Sequence, residues 1–339
     1  VKWKEFRLGD SEIFLLNSTL NGINKNKLNQ LGTAKYPYIT RTDFNNGLDI
    51  LVGKQEKPIN PGNVISIGLD TQTVFYQEAP FYTGQNIQIL SINKLNQNSA
   101  MFIIPLIKRQ LATLNWGGNG ATLGRLQKKS ILLPVQENDE IDFDFMEQYI
   151  LVKKKQVKAA ANIFKENDDI TDHRSLHEIE FKNFYLEDVI KINSGQRLTK
   201  EDMKKGNIAF IGATEFKNGI TGFVSNINKS TDCNVLGVNY NRSVVESFYH
   251  PYHATFSDDV KRFSWNNEMV NNKYTLLFLK SMLNMQRIKY TYGYKFNAAR
   301  MKKQVIKLPV DSDGKPDWGF MEQYMKRKEN QVLYQLKNF

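Results

Sequence analysis

The pentapeptide FMEQY occupies residues 145–149 and returns at residues 320–324. The stretches around it stay in step. LPV at 133–135 answers LPV at 308–310, Arg125 answers Arg300, Lys128 answers Lys303, and Asp142-Phe143 answers Asp317-Trp318. Further upstream the offset drifts by a few residues, as loops of unequal length cause. VKWKEFRLGD (1–10) resembles IEFKNFYLED (179–188), YITRTDFNNGL (38–48) resembles FIGATEFKNGI (210–220), and NVISIG (63–68) resembles NVLGVN (234–239). One pentapeptide can recur by accident, but a collinear series cannot. Each copy is too long for a solenoid repeat, so the chain reads as one domain written twice.

Each copy has the same grammar. Short apolar runs split by Gly, Asn and Pro (YPYIT, NVISIGL and TVFYQEA; IAFIGA and NVLGVN) carry strand signals. A longer helical run follows, SAMFIIPLIKRQLATL (99–114) or KYTLLFLKSMLNMQRI (273–288). Then come a basic loop, a strand ending at LPV, a turn, and a long helix opening near FMEQY. Asp142 and Asp317 stand where a side-chain acceptor caps a helix. The fold class is therefore α+β, two tandem strand-rich domains each followed by a long helix. The terminal helices carry matching heptad-like stripes. Met146, Ile150, Val157, Ala161 and Phe164 form one; Met321, Met325, Val332, Leu336 and Phe339 form the other. Two readings stand: each stripe docks on its own domain, or helix pairs with helix. The expected segmentation is 1–142 for the first domain, 143–175 for a central helix and linker, 176–317 for the second domain and 318–339 for the last helix.

The 339-residue chain has a net charge of +11, which favours an anionic partner or simply a soluble basic surface. Cys233 is alone, so there is no internal disulfide and no cysteine-built zinc site, as suits a reducing cytoplasm. No apolar run is long enough to span a membrane, and no charged-plus-apolar leader is visible at Val1. Enzyme signatures are missing: no GxxxxGK[ST], no GxGxxG after a strand, no GxSxG, no HExxH. PDWGFMEQYMK (316–326) mimics a nuclease pattern, but Asp317 and Glu322 read better as a helix cap and a first-turn acid. No metal set is expected; the pair His250 and His253 lacks further ligands.

Three loop segments recur. The first holds Thr40, Arg41, Asn45 and Asn46 against Thr214, Lys217 and Asn218, with Gly47 and Gly219 suited to a turn of positive φ; a plain strand turn is the bland alternative. The second is NWGGNGATLGRLQKK (115–129) against YTYGYKFNAARMKK (290–303). Arg125, Lys128, Lys129, Arg300, Lys302 and Lys303 supply charge, and Trp116, Tyr292 and Tyr294 supply flat surfaces. Basic plus aromatic in a loop is a nucleic-acid pattern, although solvated charge after a helix reads the same way. The third is EAPFYTGQN (78–86) against SFYHPYHATFSDD (247–259), a shared frame with different content. Framework matches while loop tips differ, which implies two related ligands.

On FRLGD (6–10) with FYLED (184–188), YITRTDFNNG, GNGATLGRLQKKSILLPV, YGYKFNAARMKKQVIKLPV and the repeated FMEQY, the chain resembles the specificity subunit of type I restriction–modification systems and the related type IIB subunit. The resemblance covers the whole length, and YITRTD with the FMEQY helix leans toward the type IIB branch. It implies two target-recognition domains whose helices pair as an antiparallel coiled coil with pseudo-twofold symmetry. It implies recognition of a bipartite asymmetric site in double-stranded DNA, with Asn119, Lys295, His250 and His253 among the base readers. It implies no activity alone: a methyltransferase, or combined methyltransferase/nuclease, partner would bring S-adenosylmethionine and Mg2+. The competing expectations are an enzyme with an unrecognised site and a twin scaffold for an acidic protein.

Overall fold

The aspartate before each FMEQY does open a helix. Asp142 Oδ1 accepts the Phe145 N–H at 2.9 Å, and Asp317 Oδ1 accepts the Phe320 N–H at 2.9 Å. Inside the pentapeptide, Met146 and Met321 are fully buried in the cores of their own copies. Glu147 and Glu322 each accept from the N-cap asparagine of the preceding helix, Asn96 at 3.3 Å and Asn272 at 2.8 Å. Those asparagines form reciprocal capping boxes with Ser99 and Thr275, each cap worth roughly 1 kcal/mol. FMEQY is thus the joint that seats one helix on another, which is why both copies keep it.

The structure is a computed structural model that describes all residues except 20–21, 30–31, 113, 115–119, 242–244, 291–295 and 339. The chain divides into two units, Val1–Ala160 and Ala161–Phe339.

The first unit contains β1 (Lys2–Arg7), β2 (Phe14–Ser18), β3 (Tyr36–Ile39), β4 (Leu48–Val52), β5 (Val64–Gly68), β6 (Val74–Gln77), β7 (Tyr82–Thr83), β8 (Ile87–Ile92) and β9 (Ser130–Val135). Its helices are α1 (Gln97–Leu111), the short α2 (Leu123–Leu126) and most of α3 (Phe143–Ile163), which runs across the boundary between units. A four-stranded antiparallel sheet has the order β2-β8-β5-β6, a three-stranded sheet the order β4-β3-β7, and β1 pairs with β9. Central β5 is buried along its whole length, as a strand covered on both faces must be. The main core gathers Phe14, Ile65 and Leu90 from the large sheet, Ile103 and Ile107 from α1, and Met146 from α3.

The second unit repeats this order. It contains β10 (Phe181–Tyr185), β11 (Ile190–Ser194), β12 (Lys205–Ile211), β13 (Ile220–Val224), β14 (Thr231–Asp232), β15 (Val235–Asn239), β16 (Ser247–His250), β17 (Ala254–Phe256), β18 (Val260–Trp265) and β19 (Val305–Pro309). Its helices are α4 (Leu186–Val189), α5 (Lys273–Asn284), α6 (Ala298–Lys302) and α7 (Trp318–Lys337). The sheets run β11-β18-β15-β16, β13-β12-β17-β14 and β10-β19. Even the exceptions match: β3 pairs parallel with β7 and β12 parallel with β17, while the other ladders are antiparallel. Among the described residues β14 is the one added strand; its Asp232 pairs with the buried Arg262 at 2.7 Å.

The stripe on the terminal helices divides. Met146 and Met321 belong to their own cores, and Met325 packs against the second core. Met146 and Met321 thus follow the first of the two readings, docking on their own domains, while Met325 is half-buried. Ile150 and Ala161 are buried, Leu336 is half-buried, and Val157, Phe164 and Val332 are exposed. Phe339 lies outside the described residues.

The segment entering the second domain lies along α7. Glu166 meets Lys337 at 3.0 Å, Asn167 exchanges two 2.8 Å hydrogen bonds with Asn330, and Asp169 meets Lys326 at 2.5 Å. Thr171 donates its N–H to Gln323 Oε1 at 2.7 Å, and Arg174 pairs with Asp317 at 3.0 Å while lying over the Phe320 ring. Numbers rise along the linker as they fall along the helix, so the linker is an antiparallel strap.

Candidate nucleic-acid interface

The turn after β3 begins with a glycine requirement. Asn45, Asn46 and Gly47 have φ of +47°, +57° and +79° in the first unit; Lys217, Asn218 and Gly219 have +50°, +55° and +78° in the second. Three consecutive left-handed residues tighten the chain, and a Cβ on Gly47 would meet Ile39 and Phe75 at 3.2–3.3 Å. The turn is closed alike in both: Gly47 N–H donates to Phe44 O and Gly219 N–H to Phe216 O, each at 2.9 Å. Thr42 and Thr214 hydroxyls accept from Phe44 and Phe216 N–H at 3.3 and 3.2 Å. The result holds Phe44 and Phe216 out in solvent, 72% and 68% exposed. The sequence reading missed this pair; their recurrence within TDF and TEF was the available signal.

Several candidates in the first unit converge through the β5–β6 turn. Arg41 forms an ion pair with Asp70. Leu69, next in that turn, accepts the Ala121 N–H through its carbonyl at 2.8 Å, and Arg125 Nη1 donates to Gly120 O at 3.1 Å. Thr40 is half-buried, with its N–H on Gly47 O. Asn45 is exposed, whereas Asn46 donates its side-chain amide to Tyr76 O at 2.7 Å and so anchors the turn. Lys128 is exposed and Lys129 half-buried. Both lie by the N-terminal segment, where Leu8 N–H donates to Lys129 O and Gly9 N–H to Gln127 O. Gly9 is required there, since a Cβ would stand 2.6 Å from Gln127 O. Trp116 and Asn119 lie outside the described residues.

In the second unit Lys217 and Asn218 are exposed. Thr214 is half-buried, its carbonyl accepting from Asn239 Nδ2 at 3.1 Å. His253 is exposed on the loop before β17. Lys302 and Lys303 are exposed at the end of α6, and Arg300 is half-buried on it. Tyr292, Tyr294 and Lys295 lie outside the described residues.

His250 corrects the sequence reading. Its ring is fully buried at the end of β16, edge-on to Phe256 at 5.2 Å, and it cannot present an edge to a base. Burial holds its pKa down to about 4. The equivalent position in the first unit is Gln77, whose amide donates to Asn46 O and Ser66 Oγ, both at 3.0 Å. In the second unit the serine is replaced by Gly237, where a Cβ would come 2.9 Å from His250 Nε2. The larger ring and the missing side chain exchange volume across one strand pair.

Among the described residues no group of three or more His, Cys, Asp or Glu side chains is arranged to hold a metal, and no helix is long and apolar enough to cross a membrane.

Comparison with known proteins agrees with the duplication. The sequence profile of the type I restriction modification DNA specificity domain matches twice, over residues 1–161 and 178–338. The type II restriction enzyme specificity subunit S.BcgI of Heyndrickxia coagulans is 44% identical over 336 residues, covering 98% of this chain and 96% of its own. The crystal structure of a type I restriction–modification S subunit from M. genitalium aligns at 15% identity and TM-score 0.40, over 100% of this chain and 92% of its own. An HsdS subunit from Thermoanaerobacter tengcongensis aligns at 12% identity and TM-score 0.35, over 99% and 91%.

Proposed function

Because the chain belongs to the type I restriction modification DNA specificity family, we propose that it reads a bipartite, asymmetric site in double-stranded DNA, one half-site per unit. It is the specificity subunit of a restriction–modification complex, the recognising and not the catalytic component. It directs a partner methyltransferase, or combined methyltransferase/nuclease, to that site. S-adenosylmethionine and Mg2+ are the partner's cofactors. The 44% identity to a type II enzyme's subunit favours the type IIB branch over type I.

The observation that carries this reading is a repeated frame with unlike tips. Both units have the same strand order and the same left-handed turn. The tip residues differ: Arg41 against Ala213, Asn45 against Lys217, GGNG against YGYK. The shared left-handed turn supports like presentation of the residues after β3 and β12, whose different side chains then select different bases. The exposed cations Lys128, Lys217, Lys302 and Lys303 hold phosphates, so affinity falls as salt rises. Paired terminal helices set the spacer; a helix of about 20 residues is about 30 Å long, near one turn of duplex.

The test is selection from a random duplex library by the purified chain. The expected outcome is two short, different motifs at a fixed separation, with binding that weakens steeply between 50 and 200 mM salt. One contiguous motif, or enrichment independent of salt, contradicts it.

A further inference from the structure

Each left-handed turn carries two residues that the turn itself does not need. Within TDFNNG (42–47) and TEFKNG (214–219) the threonines accept the phenylalanine N–H, and the asparagines and glycines take positive φ. Architecture accounts for those three residue types. It does not account for the acid or the phenylalanine. Phe44 and Phe216 stand mostly in solvent. Asp43 and Glu215 are exposed and pair with no cation among the described residues. The two rings leave the chain alike, from φ −97°, ψ 158° at Phe44 and φ −106°, ψ 159° at Phe216. Both turns are seated from below by an aromatic ring. Gly47 lies against Phe75 and Gly219 against Phe248, where an added Cβ would stand 3.3 and 3.4 Å from the ring.

We infer that the acid–phenylalanine pair of each turn reads base edges in the major groove. The carboxylate accepts from the exocyclic amino group of cytosine or adenine, and the phenyl ring packs on the C5 edge of a neighbouring pyrimidine. This rests on the reading that each unit recognises its own half-site in duplex DNA, and adds a type of contact that both half-sites share. A carboxylate at a phosphate-facing tip would be repelled, and a chain of net charge +11 has cations for that role. Facing base edges, the same carboxylate discriminates: it accepts from an amino group and is repelled by guanine O6 and N7 or thymine O4. The closed turn presents the ring ready-placed, so little ordering is needed on binding. One ring of about 200 Å2 falls far short of the roughly 800 Å2 that each side gives to a stable protein interface, whereas a tip this narrow suits a groove about 12 Å wide. Asp43 and Glu215 differ by one methylene, and Asn45 and Lys217 beside the rings differ in charge, so the shared contact has unlike surroundings in the two halves.

The test repeats the duplex selection with the full chain carrying Asp43→Asn, Phe44→Ala, Glu215→Gln or Phe216→Ala. Asp43→Asn should lower the preference at one base pair of one half-site about tenfold, leave the other half unchanged, and bind random duplex as tightly or more tightly. Glu215→Gln should do the same in the other half. Each phenylalanine variant should relax the adjacent base pair of the same half. All four side chains are exposed, so melting temperatures should hold; if a phenylalanine variant melts early, the near-isosteric Asn and Gln variants carry the test. A two-part wild-type motif that all four variants reproduce overturns this contact and leaves the half-site reading standing. No two-part motif from the wild type overturns both. Unchanged base preference with weaker duplex binding, or with weaker capture of the partner methyltransferase, overturns it in favour of a phosphate or a protein contact.

Discussion

His250 shows how a single residue can carry the wrong label in a sequence. HPYH reads as an exposed loop, yet of its two histidines His253 is exposed while His250 is buried and fills space that Gly237 leaves open. The buried ring has a testable consequence. Its folded pKa, about 4, lies below the 6.5 of an ordinary histidine, so the unfolded chain takes up the proton first. Stability from the neutral ring is complete above pH 6.5 and is lost as the pH falls toward 4, by at most about 3 kcal/mol. His250→Gln, which installs the residue of the first unit, should flatten that dependence while costing some packing beside Gly237. Thermal melts at pH 4.5 and 7.5 check this; an unchanged slope contradicts the assignment. Nothing in the sequence placed Asp70 beside Arg41 either, because 29 residues and two strands separate them. Pairing partners brought together by topology leave no local pattern.

Elements were more legible than sites. The short apolar runs around Ile39, Ile65 and Leu236 form strands, and both capped helical runs form helices, because alternation, β-branching and Asn caps act locally. The repeat fixed what local signals could not, since two copies that share a sequence order must share a sheet order. The strap on α7 was invisible: it rests on single polar contacts spread over linker and helix, with no period. It depends on Arg174, whose pairing with Asp172 holds that carboxyl below the usual range, as Lys326 does for Asp169. Carboxylates with lowered pKa stabilise above their unfolded pKa near 3.8, and that contribution disappears as the pH falls through the folded value. Arg174→Ala should therefore lower second-unit stability by about 1 kcal/mol near neutrality, the figure being small because these groups face solvent. The difference should shrink below about pH 4 as the carboxylates protonate. Urea melts resolved by hydrogen exchange over residues 164–178 measure it; equal loss at pH 3 and pH 7 contradicts an ionic strap.

At the scale of the molecule, the chain is one frame written twice with different tips. What the two copies keep, namely the sheets, the left-handed turn and the helix joint at FMEQY, is architecture. What they change is the side chains that the architecture presents. The candidate site reads in the sequence as a set of loops carrying basic and aromatic residues. It was not legible residue by residue, because whether a loop side chain faces solvent or the core depends on its partner across a sheet. The most direct test is methylation mapping in cells that carry this chain with its partner subunit, and again with residues 114–122 exchanged for a loop of different sequence. A two-part asymmetric site is predicted, in which the exchange alters the bases of one half and leaves the other half and the spacer intact. A single contiguous site, or an exchange that alters both halves together, would contradict the claim that each unit reads its own half.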